Sequence, residues 1–174
     1  MGETAFTTAI VTVAAIFLAV FALGAVPASA QVPQGESVDR PQYSDPLPPE
    51  PKAIVAAFFE DHTAWNAFAH DDYRRTDDST QAEAAYRRLI DLYCGPDKTH
   101  QGITFSSDPS YDAERTEILD EREEGGRRIV KTRHTTDNGF VAMHEFVFVR
   151  RHDRWWLDEV YYYDDYGDEW LPSL

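Results

Sequence analysis

Cysteine is nearly missing from this 174-residue chain: Cys94 stands alone, so no internal disulfide can form and the fold must be held by packing. Basic charge is scarce as well. The chain carries 16 Lys and Arg against 31 Asp and Glu, a formal net charge of -15 at pH 7. A chain of that balance repels phosphate backbones, which argues against a nucleic-acid partner and in favour of a basic one, or simply of solubility. There is no glycine-rich phosphate loop, and no spacing suits a metal. His62 and His70 fall on different sides of a helix, and the acidic run Asp164 to Glu169 lacks the alternating oxygen ligands of a calcium loop. No cofactor or metal is therefore expected.

Charge is absent altogether between Thr4 and Gly35, where Ala9 to Val26 is almost continuously apolar and leads to Pro27-Ala28-Ser29-Ala30. The small-x-small ending predicts a signal peptide over residues 1–30, cut near Ala30, and hence an exported or envelope protein. Glu3 and the lack of any Lys or Arg ahead of the apolar run leave two alternatives open, a retained single-pass anchor and an overextended start. Residues 31–50 hold Pro33, Pro41, Pro46, Pro48 and Pro49 among Gln, Ser, Asp and Glu. Composition of this kind predicts an unfolded linker, followed by one domain over 51–174.

Within that domain Ile54, Val55, Phe58, Phe59, Trp65 and Ala69 recur at helical spacing, and His62 falls on the same apolar stripe as a core histidine. A polar stretch from Ala69 to Ser79 reads as a loop. Thr80 and Glu83 form a capping box for a second helix, whose stripe runs through Ala82, Ala85, Tyr86, Leu89, Ile90, Tyr93 and Cys94 and stops at Gly95-Pro96. The apolar period then shortens toward 2. Ile103-Thr104-Phe105 is a short strand candidate, Glu114 to Glu123 alternates weakly, and Arg127 to Thr135 is a charged, β-branched strand. Asp137-Asn138-Gly139 is a hairpin signal, and the two apolar runs around His152-Asp153 must pair as another hairpin. By strict alternation Trp155, Leu157, Glu159, Tyr161 and Tyr163 share one face of the last strand, and Trp156, Asp158, Val160 and Tyr162 the other. Both faces thus carry large aromatics. One must cover the helices, and the other is left for a partner, the linker or a second copy of the chain.

Three segments carry a family likeness: Tyr111-Asp112-Ala113-Glu114, Arg154-Trp155-Trp156-Leu157-Asp158, and Tyr163-Asp164-Asp165-Tyr166-Gly167-Asp168-Glu169-Trp170. Their order, from about Phe58 to Leu174, resembles the immunity-protein branch of the nuclear transport factor 2-like superfamily. The resemblance implies an α+β cone of two or three N-terminal helices on a curved antiparallel sheet of four to five strands. It also implies a non-catalytic role in a bacterial polymorphic toxin system, binding and neutralising a cognate protein toxin. The residues themselves place the surface on Tyr162, Asp164, Asp165, Tyr166, Asp168, Glu169 and Trp170: aromatic anchors with an acidic rim suited to a basic toxin. Trp170 has a second reading as a plug closing the end of the core. The rival function is an exported small-molecule-binding or lyase/isomerase-like protein of the same fold, with His144, Glu159 and Tyr161 as the groups that could converge in its interior.

Overall fold

A computed structural model describes residues 39–174, and the proposed signal peptide or anchor lies outside them. Among the described residues no helix is long and apolar enough to cross a membrane. Helix α1 spans Pro51–Thr76 and α2 spans Thr80–Cys94. Strands β1 (Thr116–Glu124), β2 (Arg127–Thr135), β3 (Val141–Arg151), β4 (Arg154–Asp164) and β5 (Glu169–Pro172) form one antiparallel sheet in sequential order. The two helices pack on this sheet, the α+β arrangement expected.

Pro51 opens α1 at a position whose N–H needs no partner, which suits a ring that has none. The polar stretch read as a loop instead continues the helix to Thr76. Asp72 is buried there and paired with Arg75 at 2.5 Å, Thr76 Oγ1 donates to the Asp72 carbonyl, and Arg74 and Arg75 sit where a helix C-terminus favours positive charge. The cap of α2 is also shifted by one residue. Ser79 precedes the helix and its hydroxyl donates to Glu83 Oε1, while Asp78 Oδ1 accepts from the Thr80 amide and hydroxyl.

The core forms where the helices meet the sheet. Phe58 and Phe59 pack edge-on against Phe146, and Trp65 is 1% exposed with its indole N–H donating to the Ala82 carbonyl at 2.9 Å, which ties α1 to α2. Truncating Trp65 to Ala removes both the packing and the bond. It is expected to lower unfolding free energy by about 3 to 5 kcal/mol in urea denaturation, whereas Phe59→Leu should cost less than half of that.

Residues 39–50, which composition alone placed in an unfolded linker, are folded onto the helices. Tyr43 donates to the Ala85 carbonyl at 2.9 Å, and the Ser44 amide and hydroxyl both bond the buried Asp61 carboxylate. Leu47 packs against the core. A few well-placed contacts order a proline-rich chain whose average hydropathy would not.

Ile103-Thr104-Phe105 is not a strand. It belongs to a connection between α2 and β1 that Asn66 holds in place, donating to the Ser106 carbonyl at 2.7 Å and accepting its amide at 3.1 Å. The turn at His152-Asp153 has φ of 50° and 62°, the left-handed pair that a tight two-residue hairpin needs. Strict alternation in β4 fails at one point. Phe148 pairs with Leu157 and Val147 with Glu159, so Asp158 is an extra residue, a bulge. Leu157 and Val160, assigned by alternation to opposite faces, are both buried in the core.

Candidate partner-binding surface

The sequence motif around Tyr163 to Trp170 forms the β4–β5 hairpin at one edge of the sheet. Tyr163 pairs with Trp170 and Asp164 with Glu169, leaving a turn of Asp165, Tyr166, Gly167 and Asp168. Asp164 organises the turn: its carboxylate accepts the Tyr166 amide at 3.2 Å and the Gly167 amide at 3.1 Å. Asp168 adopts a left-handed φ of 53°, and the Tyr163 hydroxyl donates to its carboxylate. That bond, more than anything else, holds the Tyr163 phenol above its ordinary pKa. The turn is therefore fixed by its own side chains, and what it presents is Tyr166, which is fully exposed.

The aromatic residues of the motif do not share a face. Tyr163 packs on Trp170 with ring centroids 5.3 Å apart, and Lys131 Nζ lies 5.5 Å from the Trp170 ring. Trp170 and Tyr161 border a groove of about 470 Å³ on the face of the sheet away from the helices, floored by the buried Ile129 and Val147. Arg122 lines this groove and makes two parallel bonds to Glu145, at 2.9 and 3.0 Å. Tyr162, by contrast, pairs with His144 and lines a cavity on the helix side. The hairpin thus brings together Asp164, Asp165, Tyr166, Asp168, Glu169 and Trp170, and turns Tyr162 away from them.

The cavity on the helix side measures about 290 Å³ and lies between α1, the connection around Thr104 to Tyr111, and the β3–β4 pair. His62 and His144 both line it. Burial lowers the His62 pKa to about 3 and that of His144 to about 4, so both rings are neutral at pH 7. Burial also raises the phenol of Tyr111, whose ring lies 4.9 Å from His62 and 5.1 Å from His144. The periodicity of α1 could place His62 in the core but not reveal this space, because the connection that closes it has no regular period.

Of the three groups that could have converged on a reacting molecule, only His144 faces the cavity. Tyr161 lines the outer groove. Glu159 is tied down elsewhere: Oε2 pairs with Lys98 Nζ at 3.1 Å, and Oε1 accepts the amides of Val160 and Leu174. Cys94 is buried, and burial pushes its thiol up to about 12, which keeps it protonated and inert.

A family model described as NTF2 fold immunity protein (Imm-NTF2) matches residues 50–173. No curated protein and no solved structure matches the chain.

Proposed function

Because this chain belongs to the NTF2 fold immunity protein family, we propose that it protects a bacterial cell by binding a cognate protein toxin and covering the surface through which that toxin acts. The β4–β5 hairpin is the contact surface. The observation that carries this assignment is the turn locked by Asp164 and Asp168, which holds a fully exposed Tyr166 in one orientation. A pre-ordered tyrosine offers contact area at small entropic cost, and the carboxylates around it speed encounter with a basic partner. Protection is stoichiometric and needs no chemistry. On the export reading of residues 1–30, the toxin is met at the cell envelope.

Co-expression with a candidate toxin, sought among the genes neighbouring this one, tests the role. Growth should be restored in proportion to the amount of immunity protein made, reaching full rescue near equimolar expression. Restoration by trace amounts would point to turnover of a substrate, and no restoration at any ratio would end the proposal. A second copy of the chain is the competing occupant of the hairpin, and sedimentation of the isolated protein as a dimer that dissociates on Tyr166→Ala would identify it.

A further inference from the structure

The four residues of the β4–β5 turn offer one fully exposed anchor, Tyr166, whereas a specific protein interface covers about 800 Å² on each partner and draws on about 20 to 30 residues of it. The contact surface must therefore extend beyond that hairpin. The register of the sheet shows where. β3 begins where β4 ends, and continuing the His144–Tyr162 pairing past both strands brings Val141 level with Asp165 and Phe140 level with Tyr166. The β2–β3 turn and the β4–β5 turn thus stand side by side at one end of the sheet.

What the second turn presents is apolar. Phe140 is 60% exposed and Val141 42%, so that with Tyr166 this end holds three of the six large apolar or aromatic side chains exposed among the described residues. Single exposed apolar groups are ordinary, but a cluster of them bordered by charge marks a surface that another macromolecule covers. The β2–β3 turn is also held in one shape. Gly139 has a φ of 83° and its amide donates to the Thr136 carbonyl at 2.9 Å; the Thr136 amide donates to the Phe140 carbonyl at 2.9 Å, and its hydroxyl to Asn138 Oδ1 at 2.6 Å. From outside the turn, the Arg115 guanidinium joins Asp137 at 2.5 Å to Asp108 at 2.8 Å and Asp112 at 3.2 Å. Asp112, from the Tyr111-to-Glu114 motif of the sequence, thereby helps to fasten this turn. Anchors fixed in this way lose little freedom when they are covered.

Charge narrows the occupant. Asp164, Asp165, Asp168 and Glu169 make no ion pair among the described residues, while Arg115 and Arg133, beside the β2–β3 turn, are already held by carboxylates. A partner that meets this end has to answer four carboxylates and cover three apolar side chains at once.

We propose that Phe140 and Val141 form, with Tyr166, the apolar centre of one contact surface made of the two adjoining turns. Its occupant is a basic protein surface with an apolar or aromatic side chain at its middle, which on the reading above, on which this identification rests, belongs to the toxin.

The first test compares a Phe140→Ser, Val141→Thr double variant of the full chain with wild type, against a candidate toxin whose growth arrest the wild type relieves. Affinity should fall about thirtyfold, while the thermal midpoint stays within about 3 °C because neither side chain belongs to the core. Leu119→Ser, which removes an exposed apolar group from the β1 edge of the sheet, should change affinity by less than about twofold. A second measurement needs neither a toxin nor a variant. A heptapeptide alternating Lys or Arg with Leu and Trp, added to the ¹⁵N-labelled chain at about 1 mM, should shift the amides of Phe140, Val141, Tyr166 and Gly167 together. Its counterpart with Glu at the basic positions should not. Undiminished toxin binding by the folded double variant overturns the proposal and leaves the toxin reading intact. Relief of no candidate toxin by wild type ends the toxin reading, and joint shifts with the basic peptide would still support the surface. Peptide shifts at neither turn or at the β4–β5 turn alone overturn the proposal, as does an equal response to the acidic peptide. Signals of both turns that move with protein concentration alone would give the surface to a second copy of the chain and overturn it as well.

Discussion

Changing Asp165 and Glu169 to Lys and Tyr166 to Ala in one protein is expected to abolish protection against the cognate toxin and to weaken binding by about a thousandfold. The three positions are chosen because the hairpin does not rely on them. Asp164 and Asp168 also belong to the acidic rim, but their carboxylates hold the turn together through Tyr166, Gly167 and Tyr163. Reversing them would disorder the hairpin and prove nothing about contact. Loss of an exposed aromatic anchor accounts for about 2 kcal/mol or more, and two reversed rim charges slow association by about ten- to a hundredfold at low salt. A control variant with Glu60 and Asp71 changed to Lys alters net charge by the same amount at two exposed positions of α1. Its affinity should stay within about threefold of wild type. Equal losses in the two variants, measured by surface plasmon resonance at 150 mM salt, would assign the effect to total charge and remove the hairpin from the interface. Full protection by the triple variant would remove it too.

Much of this architecture was readable because strong periodic signals are local. The α2 stripe from Ala82 to Cys94, the stop at Gly95-Pro96 and the paired runs around His152-Asp153 each state their structure within about fifteen residues. What resisted reading depends on contacts distant in sequence. Nothing near Asp77 shows that α1 should run on through a polar stretch. The continuation is held by Tyr73 against the ring of Phe105, more than thirty residues away. The folding of residues 39–50 hangs on Asp61, a carboxylate in α1 that also accepts the Tyr93 hydroxyl of α2. The bulge at Asp158 is a one-residue slip, and such a slip reassigns every residue on one side of it to the opposite face. That is why alternation counted from Trp155 placed Leu157 and Val160 apart. The same slip decides the candidate site, since it turns Tyr162 toward the cavity and leaves Tyr161, Tyr163 and Trp170 on the other side. The hairpin's carboxylates and tyrosines were visible as a cluster in the sequence. Which of them hold the turn and which face outward was not, because that depends on the left-handed backbone at Asp168.

Acid should destabilise this protein well before its carboxylates titrate. His62 and His144 are held neutral in the fold by burial, with pKa values of about 3 and about 4, against 6.5 for an ordinary histidine. His144 is depressed further by the nearby His134, and His134 is itself lowered by burial first and by Arg115 second. Only the unfolded chain can take up these protons between pH 6.5 and pH 4, so protons favour unfolding there. Stability is full above pH 6.5 and falls as the pH drops toward the folded-state values. The slope per histidine starts at about half of 1.4 kcal/mol per pH unit at pH 6.5 and approaches that full value toward pH 5, so the pair should cost about 3 kcal/mol between pH 6.5 and pH 5. That is a large share of the 5 to 15 kcal/mol typical of a domain. Above pH 5 ordinary carboxylates remain ionised, and the slope there belongs to the imidazoles. Urea denaturation at pH 7, 6 and 5 measures it directly. A His62→Phe, His144→Phe double variant, whose rings carry no titrating nitrogen, should lose most of the slope even if its stability at pH 7 also changes. A wild-type curve that is flat from pH 7 to pH 5 would mean that the two imidazoles protonate as readily inside the fold as outside it.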